Sequence, residues 1–172
     1  MKIVPTEDIP KDLEEMPLDK PMEIFKVFQK MERLVEEENG AGLAAVQVGI
    51  PWAMFVTRLR DPLNPTEMKV HCYVDCKYFP SSLIEKTKSI EGCLSLKRNG
   101  KLRSFEVERW TKIRVVGKEL VIKDKPILEP FEREIEDLLT AVVFQHEIDH
   151  QKNILISDIG KEIDIQSVVR MD

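Results

Sequence analysis

Two of the three histidines in this 172-residue chain lie in the stretch QHEIDH, at residues 145–150. Residues four apart share one face of an α-helix, so His146 and His150 can present two imidazoles to one metal ion. Glu147 lies about 100° around such a helix from His146 and about 60° from His150, given about 3.6 residues per turn. Its carboxylate can therefore take a proton from water on that metal. The spacing predicts a metal-dependent hydrolytic site.

The third metal ligand does not follow from this stretch alone. A catalytic metal usually has three protein ligands and one open position, and no histidine or cysteine follows His150. Three downstream carboxylates are open as ligands: Asp158, Glu162 and Asp164. The two histidines could also be ordinary core side chains that hydrogen-bond inside the protein, and then there would be no metal.

Upstream, the stretch EGCLS at residues 91–95 offers a better third ligand, Cys93. A thiolate binds transition metals strongly, and a neighbouring glycine permits a close backbone approach. The alternative for any free cysteine is a small buried apolar side chain. Cys72 and Cys76 fit that alternative, because they alternate with more polar residues along a predicted strand. Cys93 follows an irregular segment and lies among turn-permitting residues, which favours a ligand.

The stretch GAGLAAVQ at residues 40–47 is rich in glycine and alanine, so its backbone can come close to a ligand. Gln47 adds a side-chain amide that can donate hydrogen bonds. The phosphate-binding pattern G-x-G-x-x-G is not met, because residue 45 is alanine. A tight turn packed against a sheet is the alternative interpretation.

Two helices must position these residues. The apolar spacing predicts an N-terminal helix over residues 21–38, with Asp19 as a candidate cap and Asn39-Gly40 at its end. A second predicted helix, over about residues 132–151, carries both histidines on its apolar face. The other residues of that face are Ile135, Leu138, Leu139, Val142 and Val143.

Strands are predicted between the helices, over residues 53–59 and 70–76. Residues 112–117 and 119–124 predict a β-hairpin that turns at Gly117-Lys118. The stretch LKRNGKLR at residues 96–103 predicts a basic loop with a turn at Asn99-Gly100. This order predicts an α+β fold, with antiparallel or mixed sheets packed around a central C-terminal helix that carries HEIDH.

The composition is that of an ordinary globular protein, with 42% hydrophobic and 33% charged residues and a formal net charge of −5. These values argue against a general nucleic-acid-binding surface, which is usually basic. Three cysteines without framework spacing favour a reducing compartment, and no signal-peptide or membrane-helix pattern is found. We expect one monomeric domain over residues 1–172, in the cytoplasm, without DNA or membrane partners.

Together and in this order, GAGLAAVQ, EGCLS and HEIDH resemble the GxGxAAxQ, EGCxS and HExxH motifs of the peptide deformylase family. Weaker similarity in the N-terminal helix, in VERWTKIRV and in ILISDI extends the resemblance over nearly the whole chain. It implies a hydrolase that removes the formyl group from the N-terminal methionine of newly made polypeptides and releases formate. Its partners would be N-formyl-methionyl nascent peptides, met near the ribosome in a bacterium, in the bacterial host of a virus, or in an organelle.

The resemblance also implies roles for individual residues. The metal ligands would be Cys93, His146 and His150. Glu147 would be the general acid/base while a metal-bound hydroxide attacks the formyl carbon. Gln47 and the backbone N–H of Leu94 would stabilise the oxyanion. The implied cofactor is one divalent metal per chain, Fe²⁺, with Zn²⁺, Ni²⁺ or Co²⁺ as substitutes.

A peptide-binding cleft around these groups is implied as well. The substrate peptide would bind beside Gly42 and Gly92 in an extended conformation, as an added strand. Matched positions supply the walls of an apolar methionine pocket: Ala41, Leu94, Val142 and Val143. Because ligating histidines usually donate their other N–H to an acceptor, we expect Asp149, paired with Arg109, to support the ligands.

The chain departs from the family pattern at Gln151 and Asn153, where leucine and glycine are usual, and in a longer loop after EGCLS. This loop could contact ribosomal RNA or form a solvated turn. Its basic residues are Lys97, Arg98, Lys101 and Arg103. Two other functions stay open: a metal-dependent protease that uses the same helix, and a deformylase-like binding protein that does no chemistry.

Overall fold

The computed structural model describes residues 1–61 and 63–164. The strands are β1 (Gly42–Ala44), β2 (Met54–Arg60), β3 (Met68–Pro80), β4 (Lys86–Arg98), β5 (Lys101–Trp110), β6 (Ile113–Ile122), β7 (Pro126–Ile135) and β8 (Lys161–Ile163). The α-helices are α1 (Pro21–Glu37), α2 (Leu138–Gln151) and α3 (Ile156–Ile159), and two 3-10 helices span Thr6–Asp8 and Ala45–Val48. One antiparallel sheet has the order β1-β2-β3-β6-β7 and the other β4-β5-β8. The predicted α+β class is confirmed.

Helix α1 begins and ends within one residue of the prediction. Its N-cap is Lys20 rather than Asp19, and no side chain caps the first turn. Pro21 is tolerated at the first position, because an amide there would have no partner within the helix. The buried face packs on β1, β2 and β7. It consists of Ile24, Phe28, Met31, Leu34 and Val35.

Strand β2 lies one residue later than the strand predicted over residues 53–59, and β3 contains the strand predicted over residues 70–76. The register between β3 and β6 shifts between Val74 and Lys77, where Asp75 has a left-handed φ of 50°. Cys72 and Cys76 are buried close to this bulge. Burial raises the pKa of the Cys76 thiol to about 12, so these two cysteines agree with the interpretation as small apolar core residues.

The predicted hairpin at Gly117-Lys118 is wrong. Residues 113–122 form one continuous strand, β6, which pairs with β7 along its whole length. A Cβ at residue 117 would lie 2.8 Å from Cys76 Cα, so Gly117 allows the bulged part of β3 to approach and makes no turn. The chain reverses instead at residues 123–125, between β6 and β7.

Helix α2 is shorter than predicted, because residues 132–135 complete β7. Ile135 faces the core from the end of that strand, and its burial fitted the helical spacing by coincidence. The helix begins after Asp137, whose side chain accepts a hydrogen bond of 2.9 Å from the Thr140 N–H. It packs on β1, β2 and β3 of one sheet and on β5 of the other. No helix within residues 1–61 and 63–164 is both long and apolar enough to cross a membrane.

Candidate metal centre and its cleft

Helix α2 and strand β4 bring three candidate metal ligands together between the two sheets. His146 and His150 extend from α2, and Cys93 extends from β4. Their ligand atoms all lie within 4.8 Å of one another, and Cys93 Sγ is 3.4 Å from His150 Nε2. The segment before Cys93 is regular strand, contrary to the sequence prediction, with a register irregularity between Gly92 and Lys97. A thiolate and two imidazoles are a ligand set that suits a divalent transition metal.

The downstream carboxylates do not join this group. Arg103 donates to both carboxylate oxygens of Glu162, at 2.9 and 2.6 Å. Asp158 accepts a hydrogen bond of 2.8 Å from the Leu155 N–H. The group of candidate metal ligands found within the described ranges contains none of the three acids considered, Asp158, Glu162 and Asp164. The geometry therefore favours Cys93 as the third ligand.

Glu91 is a site residue that the sequence analysis missed. Its Oε2 lies 2.8 Å from His146 Nδ1, and Arg109 Nε donates to its Oε1 at 2.7 Å. Glu91 precedes Cys93 by two residues on one strand, so both side chains leave the same face of β4 toward α2. Burial alone would raise the pKa of Glu91, but hydrogen bonds from His146 and Arg109 outweigh it and lower the pKa. Assigning EGCLS to a strand would have revealed this residue.

The predicted pair of Arg109 and Asp149 is present, but it reaches a histidine only through Glu91. Arg109 Nη1 donates to Asp149 Oδ2 at 2.5 Å, and the hydroxyl of Tyr78 donates to Asp149 Oδ1 at 3.3 Å. Arg109, Glu91 and Asp149 are all buried. Arg109 thus bridges two buried carboxylates, one of which fixes the ring of His146.

The two histidines differ in their ionisation. Burial, reinforced by the positive charges of His146 and Arg109, holds the pKa of His150 well below its ordinary value. Burial also opposes charge on His146, but contacts with Cys93 and Glu91 outweigh it and raise the pKa of His146 to about 10. His150 is therefore neutral, as a ligand must be, whereas metal binding would displace a proton from His146.

Glu147 lies beside the three candidate metal ligands and lines the cleft. Its Oε2 is buried without a hydrogen-bond partner among the described residues. Burial raises the pKa of Glu147 to about 7, which suits proton exchange near neutral pH. A Cβ on residue 42 would lie 2.8 Å from Glu147 Cδ, so this carboxylate needs glycine at position 42.

Gln47 approaches from the first sheet, on the 3-10 turn that follows β1. Its Oε1 accepts a hydrogen bond of 2.9 Å from the Ala44 N–H. Its Nε2 is 3.0 Å from Ser95 Oγ and 3.4 Å from Cys93 Sγ. The Ala44 contact fixes which end of the carboxamide faces Cys93. Ser95, the last residue of EGCLS, was not assigned a role from the sequence.

A cleft of about 580 Å³ opens beside Glu147 and His146. It is lined by all the substrate-binding residues inferred from the sequence: Ala41, Gly42, Gly92, Leu94, Val142 and Val143. Four further apolar residues line it: Ile90, Leu102, Leu138 and Leu139. The last two were predicted on the buried face of the helix, but they are exposed, because α2 begins at the mouth of the cleft.

The basic loop is the tip of the β4–β5 hairpin. Asn99 and Gly100 form the predicted turn, with φ of 52° and 76°. Lys97 Nζ lies 2.6 Å from Glu38 Oε2, and Arg103 and Arg98 both pair with Glu162. Two carboxylates, Glu38 and Glu162, thus offset two of the four positive charges of the loop. Whether the loop contacts RNA or is a solvated turn stays a prediction.

Comparison with known proteins agrees with this geometry. The family "Polypeptide deformylase" matches residues 4–164. The chain belongs to this family. A peptide deformylase of Aquifex aeolicus is 33% identical over 159 residues, which cover 91% of this chain and 83% of that protein. One from Helicobacter acinonychis is 37% identical over 124 residues, which cover 70% of this chain and 62% of that protein.

A solved deformylase structure also matches the fold. The probable peptide deformylase of Synechococcus phage S-SSM7 superposes with a TM-score of 0.75 at 30% identity, covering 92% of this chain and 98% of the phage protein. The deformylase family, fold class and enzyme class predicted from the sequence are therefore confirmed. The roles of individual residues stay predictions.

Proposed function

We propose that this chain hydrolyses the formyl group of N-formyl-methionyl polypeptides, releasing formate and a free amino terminus. The observation that carries the proposal is the buried group of Cys93, His146 and His150 beside Glu147, whose Oε2 has no hydrogen-bond partner among the described residues. The proposed enzyme is one monomeric domain that acts in the cytoplasm or an organelle, near the ribosome.

The proposed cofactor is one divalent metal, Fe²⁺, for which Zn²⁺, Ni²⁺ or Co²⁺ could substitute. Cys93, His146 and His150 would hold it, and the sulfur and nitrogen donors of this buried group fit such a metal. When bound, the metal supplies Lewis acidity at its open coordination position. Glu91 would hold the ring of His146, and Arg109 with Asp149 would hold Glu91.

Glu147 would move the proton. It takes the proton of the attacking water and later delivers it to the departing amine, so it must be a base and then an acid. A pKa of about 7 allows both forms near neutral pH. Because residue 42 is glycine, no Cβ occupies the space that the Glu147 carboxylate needs.

Two N–H groups would stabilise the negative charge that develops on the formyl oxygen, the side chain of Gln47 and the backbone of Leu94. Contacts with Ala44 and Ser95 hold the Gln47 carboxamide in a fixed orientation. Such donors act best when they do not have to reorganise during the reaction.

The walls of the cleft would select the methionine side chain. Apolar contacts come from Ala41, Leu94, Val142 and Val143. The peptide backbone would run past Gly42 and Gly92, and main-chain hydrogen bonds recognise a peptide with little regard to its side chains. This division would let one enzyme accept many polypeptides that begin with formyl-methionine.

The test is formate release from formyl-Met-Ala-Ser by protein purified anaerobically with Fe²⁺. The Glu147→Gln variant should lose about 10²- to 10⁴-fold in rate while still binding metal. Unformylated Met-Ala-Ser is the control for a protease, and it should stay intact. If metal-loaded protein released no formate, the proposal would be wrong.

A further inference from the structure

Gln145 is a buried polar residue that directly precedes the candidate metal ligand His146 and does not line the catalytic cleft. Its Oε1 accepts a hydrogen bond of 3.0 Å from the Trp110 N–H, and its Nε2 donates to the Trp110 carbonyl oxygen at 2.9 Å. Nε2 also donates to the Ala141 carbonyl oxygen at 3.0 Å, within the helix. These three hydrogen bonds hold the carboxamide in one orientation.

The main-chain groups of Trp110 lie at an edge of strand β5. Strand β4 pairs with one side of β5, and β8 covers the other side at residues 104–106. Both the N–H and the carbonyl of Trp110 bond to Gln145, as they would to a residue of a neighbouring strand. Because a polar group that loses its partner inside a protein is destabilising, this contact ties α2 firmly to β5.

A second contact of the same kind lies one turn later on α2. Asp149 is four residues after Gln145, so both side chains leave the same face of the helix. Asp149 Oδ2 accepts from Arg109 Nη1 at 2.5 Å, and Arg109 directly precedes Trp110 on β5. We call Gln145 and Asp149 the two anchors of α2. They contact consecutive residues of β5, and the residue that follows each anchor is a candidate metal ligand.

The two anchors differ in what they contact. Asp149 contacts the end of a long side chain, whereas Gln145 contacts the main chain of β5. Strands β4 and β5 form a two-stranded antiparallel ribbon, the β4–β5 ribbon, in which Trp110 lies opposite Lys86. Cys93 belongs to β4 of this ribbon. The hydrogen bonds of Gln145 therefore relate the position of α2 directly to the strands that carry the third candidate ligand.

We infer that Gln145 is a positioning residue that fixes the axial position and rotation of α2 on the β4–β5 ribbon, and thereby holds His146 and His150 in reach of Cys93. The inference rests on the proposed metal centre. A displacement of about 1 Å in an active site can cost about 100-fold in rate, so a contact that fixes a helix matters although it touches neither metal nor substrate.

The test replaces Gln145 by methionine, which has a similar length and cannot make the three hydrogen bonds. Competition with a chelator should show metal affinity about 10- to 100-fold below that of the wild type. The visible absorption of the Co²⁺-loaded variant should change, because it reports the geometry of the ligands. At saturating metal, kcat for formyl-Met-Ala-Ser should fall and KM should stay close to the wild-type value, since Gln145 does not line the cleft.

Gln151→Met is the matched control. Gln151 is the last residue of α2 and directly follows His150, and its buried Nε2 has no hydrogen-bond partner among the described residues. This variant makes the same chemical change beside the other histidine, so its metal affinity and Co²⁺ spectrum should match those of the wild type. Asp137→Ala controls for helix stability: it weakens the first turn of α2 and should bind metal as the wild type does.

Unchanged metal affinity and an unchanged Co²⁺ spectrum in Gln145→Met would overturn the inference, and so would equal losses in Gln151→Met. If circular dichroism shows that Gln145→Met does not fold, Gln145→Asn takes its place. Asparagine keeps the amide but is one methylene shorter, so it loses the Trp110 contact and should show the same losses.

The metal-binding measurements separate this inference from the proposed function. Wild-type protein that binds metal but releases no formate would contradict the proposed function alone, and the role of Gln145 would still be decided by the affinities and spectra. Wild-type protein that binds neither Fe²⁺ nor Co²⁺ would contradict both.

Discussion

Strand β5 carries two arginines, Arg109 and Arg103, and each lies in a cluster of charged side chains, one buried and one partly exposed. Near the middle of the ribbon, Arg109 bridges Glu91 and Asp149, and the three side chains are at most 7% exposed. Near its tip, Arg103 pairs with Glu162, with 28% and 39% of their side chains exposed. The two arginines make similar contacts, with two hydrogen bonds from each to one glutamate.

Burial changes what these contacts mean. Water screens the pair at the tip, and such pairs contribute little to stability. The inner cluster costs desolvation of three charges, which a well-packed apolar group of similar volume would avoid. We hypothesise that it persists because it holds His146 in place. Substitutions at Arg109, Glu91 and Arg103 test this contrast, and one at Asp137 gives the effect of an exposed carboxylate outside both clusters.

Arg109→Met should have the largest effect. It leaves Glu91 and Asp149 buried without their shared partner, which we expect to lower the free energy of unfolding by about 3–5 kcal/mol. Urea denaturation followed by circular dichroism measures the loss. A loss below about 1 kcal/mol, the range of an exposed pair, would show that the buried cluster contributes no more to stability than the exposed one.

Glu91→Gln tests whether the inner cluster serves the histidine. The amide keeps an acceptor for His146 but loses the charge, so metal affinity should fall about 10- to 100-fold. Competition with a chelator measures it in the loaded protein. Glu106→Gln, on the same ribbon but paired with Lys88, is the control and should bind metal as the wild type does. Equal affinity in both variants would remove the proposed role of the inner cluster.

Asp137→Ala tests an exposed carboxylate that caps α2, the helix with both histidines. Loss of the cap should cost about 1 kcal/mol, and Asp137→Asn should restore most of it. Hydrogen bonds from Thr140 lower the pKa of Asp137. The charge-dependent part of the stabilisation is therefore present above the ordinary pKa near 3.8 and is lost as pH falls through the lowered value.

Measuring unfolding of the wild type and Asp137→Asn from pH 6 to pH 3 checks the sign. The wild type should lose its advantage only at the acidic end, since asparagine does not titrate there. An advantage that grew on acidification would contradict the assignment.

Arg103→Met should have the smallest effect, although it is the same substitution as Arg109→Met on the same ribbon. Solvent screens its contact with Glu162. The denaturation midpoints of the variant and the wild type should therefore agree within experimental error, at low salt and at high salt. A loss comparable to that of Arg109→Met would show that burial does not separate the two clusters.

The motifs anticipated the three side chains that the structure brings together as candidate metal ligands, because short-range spacing carries that information. HEIDH places two imidazoles on one helix face, and EGCLS supplies the sulfur that the structure brings within 4.8 Å of them. Glu91, Ser95 and the exposed Ile90 were not anticipated. Glu91 contacts α2, Ser95 contacts Gln47, and Ile90 lines the cleft. Such contacts depend on how segments distant in the sequence pack together.

The misread elements show how locally ambiguous signals fail. Gly117 suggested a turn, but it provides room for Cys76 on the neighbouring strand. Ile135 fitted a helical pattern, but it is the buried end of β7. Both residues are explained by contacts with other parts of the chain. Only the pairing of strands shows that Gly117 and Ile135 belong to strands and not to a turn or a helix.

The division of the candidate ligands between α2 and β4 links folding to metal supply. A metal held by Cys93, His146 and His150 would crosslink the helix to the three-stranded sheet. Because an unfolded chain rarely retains such a site, binding would add stability by mass action, about 4 kcal/mol when free metal is a thousand times Kd. The melting temperature of the protein would then rise with the logarithm of free metal concentration. Protein made when metal is scarce would therefore be less stable than protein made when metal is plentiful.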